Sequence, residues 1–182
     1  MKKFTFYTTL IIECAVVAGA LFVVIYAFVF QFHEVSGESM FPNFKNKEYV
    51  LTSLLPARLN SLKKGDVVVF HSPIDQDRLY IKRIIALPGD TVSIQRSRVY
   101  VNGGLLNESA YLVPTTRTSG AQFLRDNQTK RVLEGTVFVL GDNRDNSSDS
   151  REWGFLEKKR VVGRSMYRVW PITEFKIIKN PY

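Results

Sequence analysis

The chain has one cysteine, Cys14, and two histidines, His33 and His71. A lone cysteine excludes an intrachain disulfide. Two histidines and a thiol cannot make an ordinary zinc site without several carboxylates, so no metal site is expected. Acidic residues are in the minority. Against 25 Lys and Arg stand 17 Asp and Glu, a formal net charge of +8. No nucleic-acid-binding motif accompanies that charge, which puts nucleic acid last among partners. Internal repeats are also missing. At 182 residues the chain has room for a membrane segment and one domain with a real core.

What is present begins with a long apolar run. From Cys14 to Phe30 there is no charged residue and no Asn, Gln, Ser or Thr. The wider stretch from Leu10 to Phe32 is broken only by Glu13 and Gln31. As a helix rising 1.5 Å per residue, it matches the hydrocarbon core of a bilayer. A cleaved leader would end in small residues after a shorter apolar stretch. Here the exit is Phe30-Gln31-Phe32-His33, so an uncleaved anchor over residues 10–32 is expected. Tyr26, Phe28, Phe30 and Phe32 suit an interfacial aromatic belt. Lys2 and Lys3 favour a short cytoplasmic N-terminus, residues 1–9, with residues 33–182 outside the cytoplasm. Lys45 and Lys47 weaken that bias. Within residues 1–35 the charges cancel, so the excess lies on the domain. It either solubilises the domain or draws it to anionic lipid headgroups beside the tether.

After residue 36 the pattern changes to short β runs. Tyr49–Thr52, Val67–Phe70, Leu79–Ala86, Thr91–Gln95 and Arg98–Val101 read as strands, as do Thr136–Leu140, Val161–Trp170 and Phe175–Ile178. Turn sequences such as Lys64-Gly65-Asp66 and Asn102-Gly103-Gly104 separate them. A mainly β domain follows. Residues 105–133 are polar and read as a loop-rich insertion.

Three stretches carry chemistry. Ser39 lies in Ser36-Gly37-Glu38-Ser39-Met40-Phe41-Pro42, where the Gly and Pro impose a turn or irregular strand. A serine hydroxyl there needs a base beside it to act as a nucleophile. Lys82 lies in an apolar strand and shares a face with Tyr80 and Ile84. Burial lowers a lysine pKa. From about 10.4 a fall of about 3 units, roughly 4 kcal/mol, would make it a base at neutral pH. A lone lysine on a strand is more often exposed and idle. Arg83 faces the other way and reads as structural or solvated. Gly141–Arg151 is dense in short polar side chains yet lies between apolar segments, which fits a hydrogen-bonded scaffold better than a free turn.

These elements, in this order, resemble the type I signal peptidases, membrane-bound Ser-Lys endopeptidases. The match includes the anchor, Ser39-Met40-Phe41-Pro42, Gly65–Phe70, Tyr80–Asp90 and Gly141–Arg151. The resemblance implies coiled antiparallel β-sheets, Ser39 as nucleophile and Lys82 as general base. It implies that Ser147 bonds the lysine amine, that Asp149 and Arg151 brace it, and that Asp142 supports the same loop. Met40, Tyr80 and Ile81 match pocket-lining positions, with the strand of Val67, Val68 and Val69 nearby. Exported preproteins cut after small residues (Ala-x-Ala type) are the implied substrates, with neither metal nor organic cofactor. Some members carry a second Ser where Gly37 stands. The oxyanion would then rest on the Ser39 N–H and on the Gly37–Glu38 stretch. The compact, single-anchor form of Gram-positive bacteria is the nearest in build. A mitochondrial inner-membrane peptidase, a self-cleaving repressor and a tethered β module that binds exported chains without cutting are the rival readings.

Overall fold

The computed structural model describes residues 2–75 and 77–182. The apolar run forms helix α1, Lys2–Val29. Its stretch Phe6–Val24 has a mean hydropathy of 2.1 and no buried residue, and it is long and apolar enough to cross a membrane. The helix stops short of the expected Phe32. Phe30–Glu34 form strand β1, with Phe30 opposite Ser53 and Glu34 opposite Tyr49 of β2 (Tyr49–Ser53). Alternation through Phe30, Gln31, Phe32 and His33 suits a half-exposed strand, and pairing decides the boundary. The domain therefore begins directly where the helix ends. Residues 2–9, before the expected anchor, are continuous with the same helix, and Met1 lies outside the described residues.

After β2 come a short helix α2 (Leu55–Arg58), β3 (Val67–His71), β4 (Leu79–Ala86), β5 (Thr91–Gln95) and β6 (Arg98–Val101). Then follow β7 (Gly104–Leu105), β8 (Thr129–Arg131), β9 (Thr136–Leu140), helix α3 (Ser150–Trp153) and β10 (Leu156–Glu157). The long β11 (Val161–Trp170) and the short β12 (Lys176–Ile177) complete the order. All described pairings are antiparallel, in a large sheet ordered β1-β2-β11-β3-β4-β9-β10 and a small one ordered β7-β6-β5-β8, with β12 beside β11. The strands β7, β8 and β10 are too short to leave a periodic signal, and β1 is hidden at the end of the apolar run.

The two sheets share a core. Val92, Ile94 and Val99 of the small sheet pack with Ile85, Phe138 and Leu140 of the large one, and Leu124 from the insertion joins them. Val68, Phe70, Ile84 and Val139 form a second cluster, and Val50, Val67, Val69 and Ile81 a third with Met40 and Phe44. The continuous apolar runs of β3 and β4 follow from burial on both faces. A fully buried Phe70 or Phe138 contributes on the order of 2–3 kcal/mol.

Strand β11 holds β2 and β3 together, and its register shifts between Val161 and Gly163. At Gly163 a Cβ would lie 2.3 Å from Ser53 O. The Ser53 backbone it would meet has little room to yield, so Gly163→Ala is expected to destabilise the domain by roughly 1–3 kcal/mol. Urea unfolding followed by circular dichroism checks this; an unchanged midpoint would contradict it.

Candidate active site

Strand β4 carries Lys82 opposite Val68 of β3. Its ladder to β9 starts only at Arg83, which faces Leu140. Leu79–Lys82 therefore keep one edge without a strand partner among the described residues, and Lys82 sits where the ladder opens. The side chain is 3% exposed. Its Nζ donates to Ser39 Oγ at 2.6 Å and to Ile81 O at 3.0 Å, and stands 5.2 Å from the centre of the Tyr80 ring. Burial lowers its pKa to about 8, against the pull of the Asp149 and Asp142 carboxylates. At pH 7 about a tenth of such an amine is neutral, against roughly one part in three thousand at the ordinary value. That gain separates a usable base from an idle surface lysine.

Ser39 arrives on a turn tied at both ends. Val35 N donates to Glu48 O at 2.7 Å and Lys47 N to Val35 O at 2.8 Å, closing the loop between β1 and β2. Gly37 has φ of +90°, a conformation that favours glycine. Beyond it, Ser39 O accepts from Asn143 N at 3.0 Å, and Glu38 O from Asn143 Nδ2 at 3.1 Å. The Gly37 N–H is taken by Asn46 Oδ1 at 3.0 Å, so it is no oxyanion donor in this arrangement. The N–H groups of Glu38 and Ser39 make no hydrogen bond among the described residues.

The segment Gly141–Arg151 lies against both. Asp142 accepts from Arg83 Nε at 2.9 Å and Nη2 at 2.7 Å, and from Asn43 Nδ2 at 2.8 Å. Its own N–H points at Met40 Sδ, 3.4 Å away. Asp149 accepts from Arg151 Nε at 2.8 Å and Nη2 at 2.9 Å, and from Gly141 N at 3.0 Å. Arg151 Nη2 also donates to Arg144 O at 2.7 Å. Arg144 in turn donates to Gly141 O and Thr118 Oγ1 and pairs with Glu108. Burying each carboxylate is tolerable because a guanidinium forks onto it. At Gly141 a Cβ would clash with Ser39 O and Ser147 Oγ, so only glycine lets this loop approach the Ser39 turn so closely.

Several expectations change. Ser147 Oγ is buried and has no hydrogen-bond partner among the described residues. It packs on Gly141, and Ile81 O and Ser39 Oγ engage the lysine amine instead. Met40 is buried in the core, where it meets the loop rather than a pocket. Val68 faces the cluster of Phe70, Ile84 and Val139, and Val67 is buried beside Phe44 and Val50, so neither reaches the groove. Val69, Tyr80 and Ile81 do, lining a hollow of about 20 Å³ together with Leu79 and Val50. Beside it a cleft of about 190 Å³ is bordered by Ser39, Lys82, Gly37 and Asn146.

Of the two readings of Arg83, structural or solvated, burial selects the first. Arg83 is structural, 4% exposed and paired bidentately with Asp142, with Tyr111 stacked 4.1 Å over its guanidinium. An arginine facing the interior from an apolar strand does signal that a carboxylate must meet it. Asn43, Glu108, Tyr111 and Arg144 offered no such signal, because their partners are far away in sequence.

The family described as "Signal peptidase, peptidase S26" matches residues 8–170. Signal peptidase IB of Staphylococcus aureus (strain MRSA252) is 35% identical over 181 residues, covering 94% of this chain and 93% of that protein. Signal peptidase I of Bacillus caldolyticus is 36% identical over 155 residues, covering 81% and 84%. A crystal structure of a signal peptidase I from Enterococcus faecalis V583 aligns with a TM-score of 0.46 at 30% identity, over 57% of this chain and 95% of that one. The family match takes in the greater part of helix α1, the Ser39 turn, β4 and the Gly141–Arg151 segment, and the chain belongs to the signal peptidase family, peptidase S26.

Proposed function

We propose that this signal peptidase cuts N-terminal signal peptides from exported preproteins with Ser39 as nucleophile and Lys82 as general base. The observation that carries the reading is the 2.6 Å approach of Lys82 Nζ to Ser39 Oγ, with the amine buried. The neutral amine takes the hydroxyl proton as Oγ attacks the scissile carbonyl. The Ser39 N–H, with no partner of its own, stabilises the developing oxyanion, as a fixed donor in a partly dry cleft does. The ammonium then protonates the leaving amine, and the neutral lysine activates the water that hydrolyses the ester.

The preprotein adds as an extended segment along the open edge of Leu79–Lys82. A hollow of about 20 Å³ beside Val69 and Ile81 takes a group about the size of one water molecule. That supports a preference for alanine-like side chains before the cut. Asp142, Asp149 and Arg151 hold the loop, and Ser147 fills the space behind it.

The site works at the outer membrane face, where the anchor raises the effective concentration of emerging signal peptides. Phe32, Leu51, Tyr167 and Ile177 are register neighbours across four strands, with Phe32 56% and Ile177 53% exposed. Continuous with the end of α1, this face suits contact with lipid, and the basic domain suits anionic headgroups. Protease added outside intact spheroplasts is expected to remove the domain and spare the anchor; full protection would reverse the orientation.

Ser39→Ala and Lys82→Ala are each expected to lower preprotein cleavage by more than about 10³-fold with an unchanged circular-dichroism spectrum. Activity retained by either variant contradicts the dyad. The Lys82 pKa is lowered to about 8, and the active form is the deprotonated one. Hence kcat/KM rises about tenfold per pH unit below that value and levels off above it. A flat profile between pH 6 and 9 would exclude a lysine base.

A further inference from the structure

We propose that Tyr111 and Tyr182 are positioning residues for the dyad: the Tyr111 ring, backed by Tyr182 through its hydroxyl and Gly65, holds the Arg83 guanidinium against Asp142, and through that pair they hold the Ser39 turn to the Lys82 strand. The inference rests on the dyad reading above. Tyr111 is 8% exposed, and its ring covers Arg83 at 4.1 Å. Its hydroxyl donates to Glu108 Oε1 at 2.9 Å and lies 3.1 Å from the Tyr182 hydroxyl. The Tyr182 ring packs so closely on Gly65 that a Cβ there would meet its Cδ2 at 2.8 Å. Gly65 O is itself an acceptor for Arg83 Nη1, at 3.0 Å. Asn180 fixes this strap by donating to Lys64 O at 2.8 Å and to Asp66 Oδ1 at 2.9 Å.

Beyond the rings lies a cavity of about 760 Å³ that reaches Arg83, Tyr111 and Asn180. Without the clamp the guanidinium could turn into that space and be hydrated. Asp142 would lose its bidentate partner while still facing Met40, and the next residue, Asn143, holds Ser39 O. The charged groups around the Lys82 amine are Asp142 with Arg83, and Asp149 with Arg151. Tyr80 faces it from its own strand, and Glu38 stands exposed on the serine turn. A loosened Arg83 leaves the Asp142 charge less compensated, which favours the ammonium form.

The test uses the full chain in detergent micelles. Acetic anhydride labelling of Lys82 across pH, read by peptide mass spectrometry, gives the amine midpoint without any cleavage assay. Tyr111→Leu is expected to raise that midpoint by ~0.5–1 pH unit and to lower kcat about tenfold with KM little changed. Tyr111→Phe keeps the ring and should restore most of both. Tyr182→Ala, at a 51% exposed position, should shift both in the same direction and covers the case in which Tyr111→Leu does not fold. An unmoved midpoint in Tyr182→Ala overturns the clamp, as does a loss of activity that follows only the loss of folded protein. If the unaltered chain titrates near 8 yet never cuts, the dyad reading fails, and the midpoints still decide the clamp.

Discussion

Removing water from one amine is the constraint on which the rest of the structure depends. In solvent the Lys82 ammonium would keep its proton and could accept none from Ser39. In the interior its charge is disfavoured, and its pKa falls to about 8. The same interior holds Asp142 and Asp149, which favour the ammonium. Each of these carboxylates is committed to its own guanidinium, Arg83 or Arg151, in a bidentate pair. The pairs make buried carboxylates tolerable and mute their effect on the amine. Desolvation therefore wins over attraction at Lys82.

The fold reaches this balance by letting a ladder run out. β4 pairs with β3 from Leu79 to Arg83 and with β9 from Arg83 to Ala86, so the two ladders overlap only at Arg83. The change falls between adjacent residues, so the strand presents Lys82 at its open edge and Arg83 in its closed part. Into the opening come the Ser39 turn from one side and the Gly141 segment from the other. They touch each other through Asn143 and Gly141, with no side chain at Gly141 to keep them apart. The insertion at 105–133 is also part of this assembly. It delivers Glu108, Tyr111 and Thr118 to the back of the loop, where they meet Arg144 and Arg83.

The strands were legible because apolar and β-branched runs between turn residues leave a local trace. Leu79–Ala86, Thr91–Gln95, Arg98–Val101, Thr136–Leu140 and Val161–Trp170 have the same limits in sequence and structure. The helix end was not legible, because Phe30 and Phe32 suit a bilayer and a strand equally well. Ser147 illustrates another limit. A residue type in the right loop does not specify the contacts of its hydroxyl, and here that hydroxyl makes no hydrogen bond among the described residues and packs on Gly141.

The sequence by itself determined a helix long and apolar enough to cross a membrane, a β-rich domain, a serine on a Gly- and Pro-bounded turn and a lysine in an apolar strand. These are written in local composition and order. Only the tertiary structure decided that the amine reaches the hydroxyl, which guanidinium compensates which carboxylate, and that Met40, Val67 and Val68 belong to the core. Apart from the local pair of Asp149 with Arg151, such facts depend on contacts between residues far apart in the chain, 43 positions for Lys82 with Ser39 and 59 for Arg83 with Asp142, and on the water those contacts exclude.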